Sequence, residues 1–188
     1  MQNRCNWCKG SQLYMDYHDN EWGTPLHDDD KLFEFLILEA FQAGLSWSTI
    51  LNKREAFREA FDGFDAVKIA AYNDDKVAEL LQNAGIIRNR MKINAAIKNA
   101  KVFLEIQKEH GSFDHYIWQF VNHKPIVNQF KDDSEIPATS EISDRMSKQL
   151  KKDGFSFVGS TICYAYMQAT GMVNDHVTSC FRYAVVNN

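Results

Sequence analysis

The chain has 188 residues, of which 45% are hydrophobic and 13% aromatic, enough to bury the core of one domain. Its formal net charge of −4 argues against a protein that coats nucleic acid through general positive charge, but permits a local positive face beside a specific pocket. The N-terminus has no apolar signal stretch, and no apolar run approaches the ~18 residues of a membrane helix, so we expect a cytoplasmic protein without membrane contact.

Helical periodicity predicts an all-α fold, interrupted by only 3 prolines and 9 glycines. Residues 1–30 show no period and are expected to be irregular. The first predicted helix starts near residue 30, with an acidic N-cap at 28–30, and ends at Gly44. The second runs from Ser46, its N-cap, to about residue 61. Shorter helices are predicted at 65–72 and 74–82, and Gly85 separates them from a long helix over 89–110.

The C-terminal half continues with a predicted helix over 112–121. Residues 122–140 contain two prolines and no clear period, so we expect a loop that crosses the surface. A basic helix over 143–152 stops at Gly154, a short apolar turn follows, and the last predicted helix spans 160–170. Residues 172–188 are expected to be irregular.

The turn between the last two predicted helices is a candidate phosphate site. It runs from Gly154 to Gly159, and such a reversal aims backbone N–H groups outwards at the start of the next helix. Lys151 and Lys152 add positive charge close by. An ordinary helix–turn–helix connection explains the same stretch, because turns bounded by glycine are common. The stretch alone leaves both interpretations open.

Five blocks, in order along nearly the whole chain, resemble the 3-methyladenine DNA glycosylase I family of the helix-hairpin-helix DNA glycosylase superfamily. They are YHDNEWG at 17–23, QAGLSW at 42–47, AGIIR at 84–88, FVNH at 120–123, and FVGSTICY at 157–164 through VNDHV at 173–177. The resemblance implies DNA base-excision repair in one domain over 1–188. The reaction would hydrolyse the N-glycosidic bond of 3-methyladenine in alkylated double-stranded DNA and release the free base.

The same resemblance implies a helix-hairpin-helix element over about residues 143–170. Its DNA-binding residues would be Val158, Gly159, Ser160 and Thr161. Superfamily members that also cut the DNA backbone carry a lysine at the position of Thr161, and most members carry an aspartate at the position of Asn174. Threonine offers no amine for a Schiff base. We therefore expect a monofunctional glycosylase without AP-lyase activity, acting on an already labile bond.

Two cysteines and two histidines near the chain ends are candidate metal ligands. They are Cys5, His18, His176 and Cys180. The last two are four residues apart, which places them on one face of a helical turn, and two cysteines with two histidines make a closed tetrahedral set. Cys8, His27 and Cys163 are competing ligands, so spacing alone decides little. The family resemblance implies one structural zinc ion at these four positions, joining residues 1–30 to 172–188.

Glu39 is the best candidate for a group that recognises a base. It lies in an otherwise apolar stripe of the first predicted helix, where burial of a carboxylate is costly without a partner. A glutamate facing solvent or paired with an arginine explains the pattern equally well. The resemblance implies that Glu39 is catalytic and accepts hydrogen bonds from the damaged base. Since 3-methyladenine in DNA is cationic, an anionic acceptor favours it.

Aromatic residues supply the rest of the predicted pocket. Trp47 offers a ring for stacking on a cationic base, with core packing as the alternative. Tyr17 and Trp22 are expected to bind the same substrate, whereas we expect Trp7 and Trp118 in the core.

The loop between the first two predicted helices is a candidate DNA contact. An enzyme that acts on a base must extrude the nucleotide, and a loop tip formed by Gly44 and Leu45 is suited to fill the space it leaves. Arg88 and Arg90 are further candidates for contacts with phosphate.

A rival hypothesis is a noncatalytic, zinc-stabilised helical module that binds DNA or protein. The negative net charge and the missing aspartate suit such a module, but it has no need for Glu39 with flanking aromatic rings. A zinc hydrolase fits poorly, because four protein ligands leave no open coordination position. We expect the enzyme to work as a monomer.

Overall fold

Helices account for most of residues 2–186, which the computed structural model describes. They are α1 (Gln12–Asn20), α2 (Asp29–Gln42), α3 (Trp47–Ala60), α4 (Ala66–Ala70), α5 (Asp74–Gln82), α6 (Arg90–His110), α7 (Phe113–Trp118), α8 (Glu141–Asp153), α9 (Ser160–Ala169) and α10 (Phe181–Val185). Two short strands, β1 (Ile126–Val127) and β2 (Val173–Asn174), pair in parallel. The prediction of an all-α fold is confirmed, and no described helix is both long and apolar enough to cross a bilayer.

Short polar side chains set most helix starts. Each accepts a hydrogen bond from a backbone N–H in the first turn and so satisfies a donor that the helix itself leaves free. These N-cap residues are Ser11, Asp28, Ser46, Asp65, Asn73, Asn89, Ser112 and Ser140. The predicted N-cap at Ser46 is confirmed. Helix α9 differs, because its N-cap is Gly159 and has no side chain to offer.

Helix α2 lies at the centre of the core. It contacts α3, α6, α7 and α9, and nine of its residues are buried. A helix surrounded in this way needs apolar residues on nearly every side rather than along one stripe. Glu39 belongs to the buried set, so the packing of α2 carries a carboxylate into the interior.

Three segments that were predicted to be irregular contain regular structure. Within residues 1–30, a 3₁₀-helix spans Asn6–Cys8 and α1 follows, because Ser11 caps it and because Tyr17 and His18 are buried by distant parts of the chain. The loop over 122–140 includes β1 and a 3₁₀-helix at Asp133–Glu135. Residues 172–188 include β2 and α10, apart from the last two residues, which lie outside the described part.

Predicted helix boundaries shift by a few residues elsewhere. The helix predicted over 112–121 is α7 followed by a 3₁₀-helix at Gln119–Val121. The helix predicted to begin at residue 143 begins at Glu141, since Ser140 and Ser143 form a reciprocal capping box. Each shift reflects a local hydrogen bond at the helix end.

Candidate ligand cavity and metal centre

Four side chains from the two ends of the chain meet in one buried group, which we call the metal cluster: Cys5, His18, His176 and Cys180. Their ligand atoms all lie within 4.8 Å of one another. Cys180 Sγ lies 3.5 Å from His18 Nε2 and 3.7 Å from His176 Nδ1. Ordinary Zn–S and Zn–N bonds in a tetrahedron place sulfur and nitrogen about 3.5 Å apart. The distances and the donor set therefore fit a closed zinc site.

Each histidine of the metal cluster is oriented through its other ring nitrogen. His18 Nδ1 lies 2.8 Å from the Asp19 carboxylate, and His176 Nε2 lies 3.0 Å from the carbonyl oxygen of Trp22. Arg4 donates to both oxygens of Asp19, and this hydrogen bonding lowers the pKa of Asp19. Partners of this kind fix the tautomer in which the remaining nitrogen faces a metal.

The competing ligands lie outside the metal cluster. The Cys8 and Cys163 thiols donate to the carbonyl oxygens of Cys5 and Val158, and His27 contacts Asp114. The expectation that residues 176 and 180 share a helical turn is wrong. A turn closed by the Cys180 N–H and the Val177 carbonyl brings them together instead, and α10 begins only at Phe181.

A cavity of about 310 Å³ lies between α1, α2, α3 and α9. Its aromatic wall consists of Trp7, Tyr14, Tyr17, Trp22 and Trp47, and its polar side chains are Glu39, Gln42, Asp133 and Gln168. We call it the aromatic cavity. Apolar walls with a few polar groups are typical of small-molecule sites. The structure thus brings Glu39 together with all three aromatic residues predicted to bind substrate.

Unsatisfied polar atoms are concentrated in the aromatic cavity. Among the described residues, six buried side-chain nitrogen or oxygen atoms have no hydrogen-bond partner, and five of them belong to residues that line it. These five are Trp7 Nε1, Glu39 Oε2, Gln42 Oε1, Trp47 Nε1 and Asp133 Oδ1. Buried polar groups in native proteins are nearly always satisfied. Two indole donors and three oxygen acceptors at one place therefore indicate a site for a polar, flat ligand.

Glu39 has the most unusual environment of these groups. It is 3% exposed, and burial raises its pKa to about 8. Glu39 neither faces open solvent nor pairs with an arginine, so both alternatives that its sequence pattern allowed are wrong. The other buried carboxylate, Asp175, accepts hydrogen bonds from Tyr164, Gln168 and Asn128. The contrast marks Asp175 as part of the framework and Glu39 as a group available to a ligand.

The aromatic rings of the cavity pack edge to face and at tilted angles. The Trp47 ring lies 5.4 Å from that of Tyr17, and Trp7 lies 4.8 Å from Trp22. The expectation that Trp7 belongs to the core is wrong, because it is half-buried in the cavity wall. Trp118 is buried as expected, and its Nε1 donates to the carbonyl oxygen of Leu26. The one sequence signal that could have placed Trp7 in the site is its position two residues after Cys5, a candidate metal ligand.

The metal cluster supports the wall of the aromatic cavity. The Trp22 ring lies 4.7 Å from the His176 ring and stacks against His18 at 6.3 Å. The Trp7 ring lies 5.3 Å from His18. Residues that line the cavity and residues of the metal cluster are therefore in direct contact.

The candidate DNA-contact loop lies between α2 and α3. Gly44 adopts φ +78°, which glycine tolerates best, and Leu45 is 40% exposed. Sequence reasoning missed Lys92, a buried residue of α6. Its Nζ donates to the carbonyl oxygens of Phe41 (2.8 Å) and Ala43 (2.6 Å). Lys92 thus satisfies carbonyls at the end of α2 and fixes the start of the loop.

The hairpin between α8 and α9 exposes only part of its predicted DNA contact. Val158 is 1% exposed as a whole residue, and its carbonyl oxygen accepts a hydrogen bond from Ser147, so the DNA contact predicted at this residue lies beneath the surface. At the start of α9, Gly159 provides no capping side chain and Thr161 is exposed. Ser160 Oγ is engaged with Asp144. Backbone N–H groups of this first turn remain the chemically suitable contact with a phosphate.

Three further residues from the sequence analysis lie away from the cavity. Arg88 and Arg90 are exposed near the start of α6. The amide of Asn174 donates to the carbonyl oxygen of Tyr183 and accepts from the backbone N–H of His176. Asn174 therefore supports His176 of the metal cluster and does not line the cavity.

Comparisons with known proteins agree along nearly the whole chain. The family model described as methyladenine glycosylase matches residues 7–183. DNA-3-methyladenine glycosylase 1 of Escherichia coli (strain K12) is 53% identical over 180 residues, 96% of each chain. A crystal structure of 3-methyladenine DNA glycosylase I is 50% identical, with a TM-score of 0.93 over 95% of this chain and 98% of that one. A variant of such an enzyme, crystallised in complex with 3-methyladenine, is 35% identical with a TM-score of 0.92, over 95% and 96% of the two chains.

Proposed function

Since the chain belongs to the methyladenine glycosylase family, we propose that it hydrolyses the N-glycosidic bond of 3-methyladenine in alkylated double-stranded DNA. Its role would be DNA base-excision repair, with free 3-methyladenine and an abasic site as products. One observation carries the proposal: five of the six unsatisfied buried polar side-chain atoms of the described residues lie in one aromatic cavity, around a buried carboxylate.

Base binding requires that the damaged nucleotide leave the duplex stack, because its base is otherwise inaccessible. The aromatic cavity then encloses the base between rings, and Trp47 provides a π face for a cationic purine. The exocyclic amine of the base donates to Glu39 Oε2, an acceptor without a partner of its own. Tyr17 and Trp22 close the wall around it.

The positive charge on 3-methyladenine allows the cavity to discriminate this base from undamaged adenine. Burial keeps the Glu39 carboxyl protonated at neutral pH. A cationic base stabilises the carboxylate form, so Glu39 loses its proton and forms an ion pair with the base. Neutral adenine provides no such gain, and its glycosidic bond is also the more stable one. The same residue therefore favours the lesion over the undamaged base.

The chemical step needs little acid–base assistance. Methylation at N3 makes the base a good leaving group, so the electron pair of the C1′–N9 bond moves to the purine and neutralises it. Water then bonds to C1′ and releases its proton to solvent. Thr161 provides no amine for attack on the sugar, so the DNA backbone stays intact.

DNA is held at two places outside the cavity. The exposed Leu45, at the tip of the loop after α2, fills the gap left by the extruded nucleotide. The first turn of α9, from Gly159 to Thr161, binds a backbone phosphate through its N–H groups. Neither contact reads sequence, which suits an enzyme that must find lesions anywhere.

One structural zinc ion at the metal cluster completes the proposal. Cys5, His18, His176 and Cys180 would hold it, and it would supply stability rather than chemistry, because four protein ligands leave no position for water. The hydrogen bonds of Asp19 and of the Trp22 carbonyl keep the two imidazoles in place. The protein acts on DNA as a monomer in this scheme.

The decisive test is incubation of the protein with duplex DNA that carries both 3-methyladenine and 7-methylguanine, followed by chromatography of the released bases. We expect release of 3-methyladenine and abasic sites that break only on later treatment with alkali. Release of 7-methylguanine alone would contradict the specificity. DNA binding without release of any base would favour the noncatalytic module, and strand cleavage without alkali would contradict the monofunctional mechanism.

A further inference from the structure

The aromatic cavity contains a second carboxylate that sequence reasoning did not identify. Asp133 belongs to the 3₁₀-helix at Asp133–Glu135, far along the chain from Glu39 on α2. Both residues line the cavity, and each has one buried carboxylate oxygen without a hydrogen-bond partner. Gln42 contributes the only other buried side-chain oxygen without a partner among the described residues.

The position of the Asp133 side chain is fixed by a single hydrogen bond. Its Oδ2 accepts from the backbone N–H of Trp7 at 2.9 Å, which ties the segment over 122–140 to the N-terminal part of the chain. The other oxygen, Oδ1, is buried and unsatisfied at the cavity wall. A carboxylate used only to cap Trp7 would have no reason to bury its second oxygen, since an unsatisfied acceptor costs free energy.

The protonation state of Glu39 in the empty cavity gives Asp133 a role of its own. Without a cationic ligand, the raised pKa of Glu39 leaves that carboxyl uncharged at neutral pH. No arginine or lysine lines the cavity among the described residues, and Arg4 and Arg54 are engaged with Asp19 and Glu21. Asp133 is then the carboxylate that makes the cavity attractive to a cation before Glu39 loses its proton.

We propose that Asp133 is a specificity-determining residue that selects positively charged alkylated purines through its unsatisfied carboxylate oxygen in the aromatic cavity. The inference rests on the proposed function, because it assumes that a purine occupies the cavity. It predicts that removal of the charge at Asp133 weakens binding of a cationic purine, whereas a neutral purine of the same shape is hardly affected.

The experiment uses two probes of equal shape. One is the 3,9-dimethyladeninium cation, in which the N9 methyl group stands for the sugar. The other is its 1,3-dideaza analogue, which keeps both methyl groups and the amino group but is mainly neutral at pH 7. Binding of each is measured at pH 7 through quenching of the tryptophan fluorescence of the cavity. Asp133→Asn is compared with the wild type, and Asp132→Asn serves as the matched control, since Asp132 is exposed and bonds to Ser134 instead.

We expect Asp133→Asn to weaken binding of the cation about tenfold and binding of the neutral analogue less than twofold. Asp132→Asn should change neither. Equal weakening of both probes would overturn the inference, because it would show that Asp133 acts only by holding Trp7. No weakening of either probe would overturn it as well. Thermal denaturation of Asp133→Asn tests the fold independently, and asparagine keeps an oxygen for the Trp7 N–H.

Failure of the proposed function gives a different result. If the wild type releases no 3-methyladenine from methylated DNA, the proposed function is wrong whatever Asp133 does. If the wild type releases the base but Asp133→Asn retains the full preference for the cation, only the role of Asp133 is wrong.

Discussion

The metal cluster and the aromatic cavity are adjacent, but they differ in whether their polar atoms have partners. In the cluster, every ligand atom faces another ligand, and each imidazole is oriented by a second partner such as Asp19. In the cavity, five polar atoms are buried without any partner. A site whose groups satisfy one another stabilises the fold, whereas a site that leaves them unsatisfied is built for a ligand.

The two regions nevertheless share a wall. Trp22 lines the cavity, its ring contacts both histidines, and its carbonyl oxygen accepts from His176. Loss of the cluster should therefore disturb the cavity, while changes within the cavity should leave the cluster intact. Substitutions in each region test this asymmetry.

Removal of a metal ligand should have the largest effect. We expect Cys180→Ala, or treatment of the wild type with a chelator, to cost roughly 5 kcal/mol and lower Tm by ~10 °C or more, since metal binding contributes directly to folding. Base binding should fall with it, because Trp22 loses its support. The test is thermal denaturation, together with elemental analysis that looks for one zinc ion per chain. Cys163→Ala, a buried thiol outside the cluster, is the control. An unchanged Tm in the presence of chelator would contradict the presence of a structural metal.

Substitution of the cavity carboxylate should affect activity without affecting the cluster. We expect Glu39→Gln to reduce turnover on 3-methyladenine about 100-fold, because a neutral amide cannot form an ion pair with the base. Nonspecific DNA affinity and zinc content should stay at wild-type values. Single-turnover kinetics and DNA binding measure the two properties separately. Wild-type turnover in this variant would exclude Glu39 from the mechanism.

The same substitution should change the pH dependence of stability. The pKa of Glu39 is raised from 4.5 to about 8, so the unfolded chain releases this proton at lower pH than the folded protein. The free energy of unfolding should therefore fall as pH rises from about 4.5 towards 8, by about 4 kcal/mol from this residue. Glu39→Gln should flatten that decline, as followed by urea denaturation across this range. Glu59→Gln, at an exposed position on α3, should keep the wild-type slope. Parallel slopes for all three proteins would contradict burial of an unpaired Glu39.

The positions of most helices, and where they begin, follow from the sequence alone. Asp28, Ser46 and Asn89 each cap a helix within a few residues of their own position, and the predicted boundaries lie close to the observed ones. Such hydrogen bonds join neighbours along the chain, so the residue pattern contains the information that they need. The resemblance to a family added the choice of the four candidate metal ligands, which their spacing left open.

Which distant residues share a site depends instead on how the chain packs. His18 and Cys180 lie 162 positions apart along the chain, and Trp7 and Asp133 lie 126 apart, yet both pairs are in contact. No period or spacing records such contacts, because they depend on how α1, α2 and α9 pack. Helix α1 shows the same limit, since its apparently irregular sequence becomes helical where Tyr17 and His18 are buried by the rest of the fold. Local hydrogen bonds are fixed by sequence, while the burial of unsatisfied groups in the cavity is a property of the packed chain.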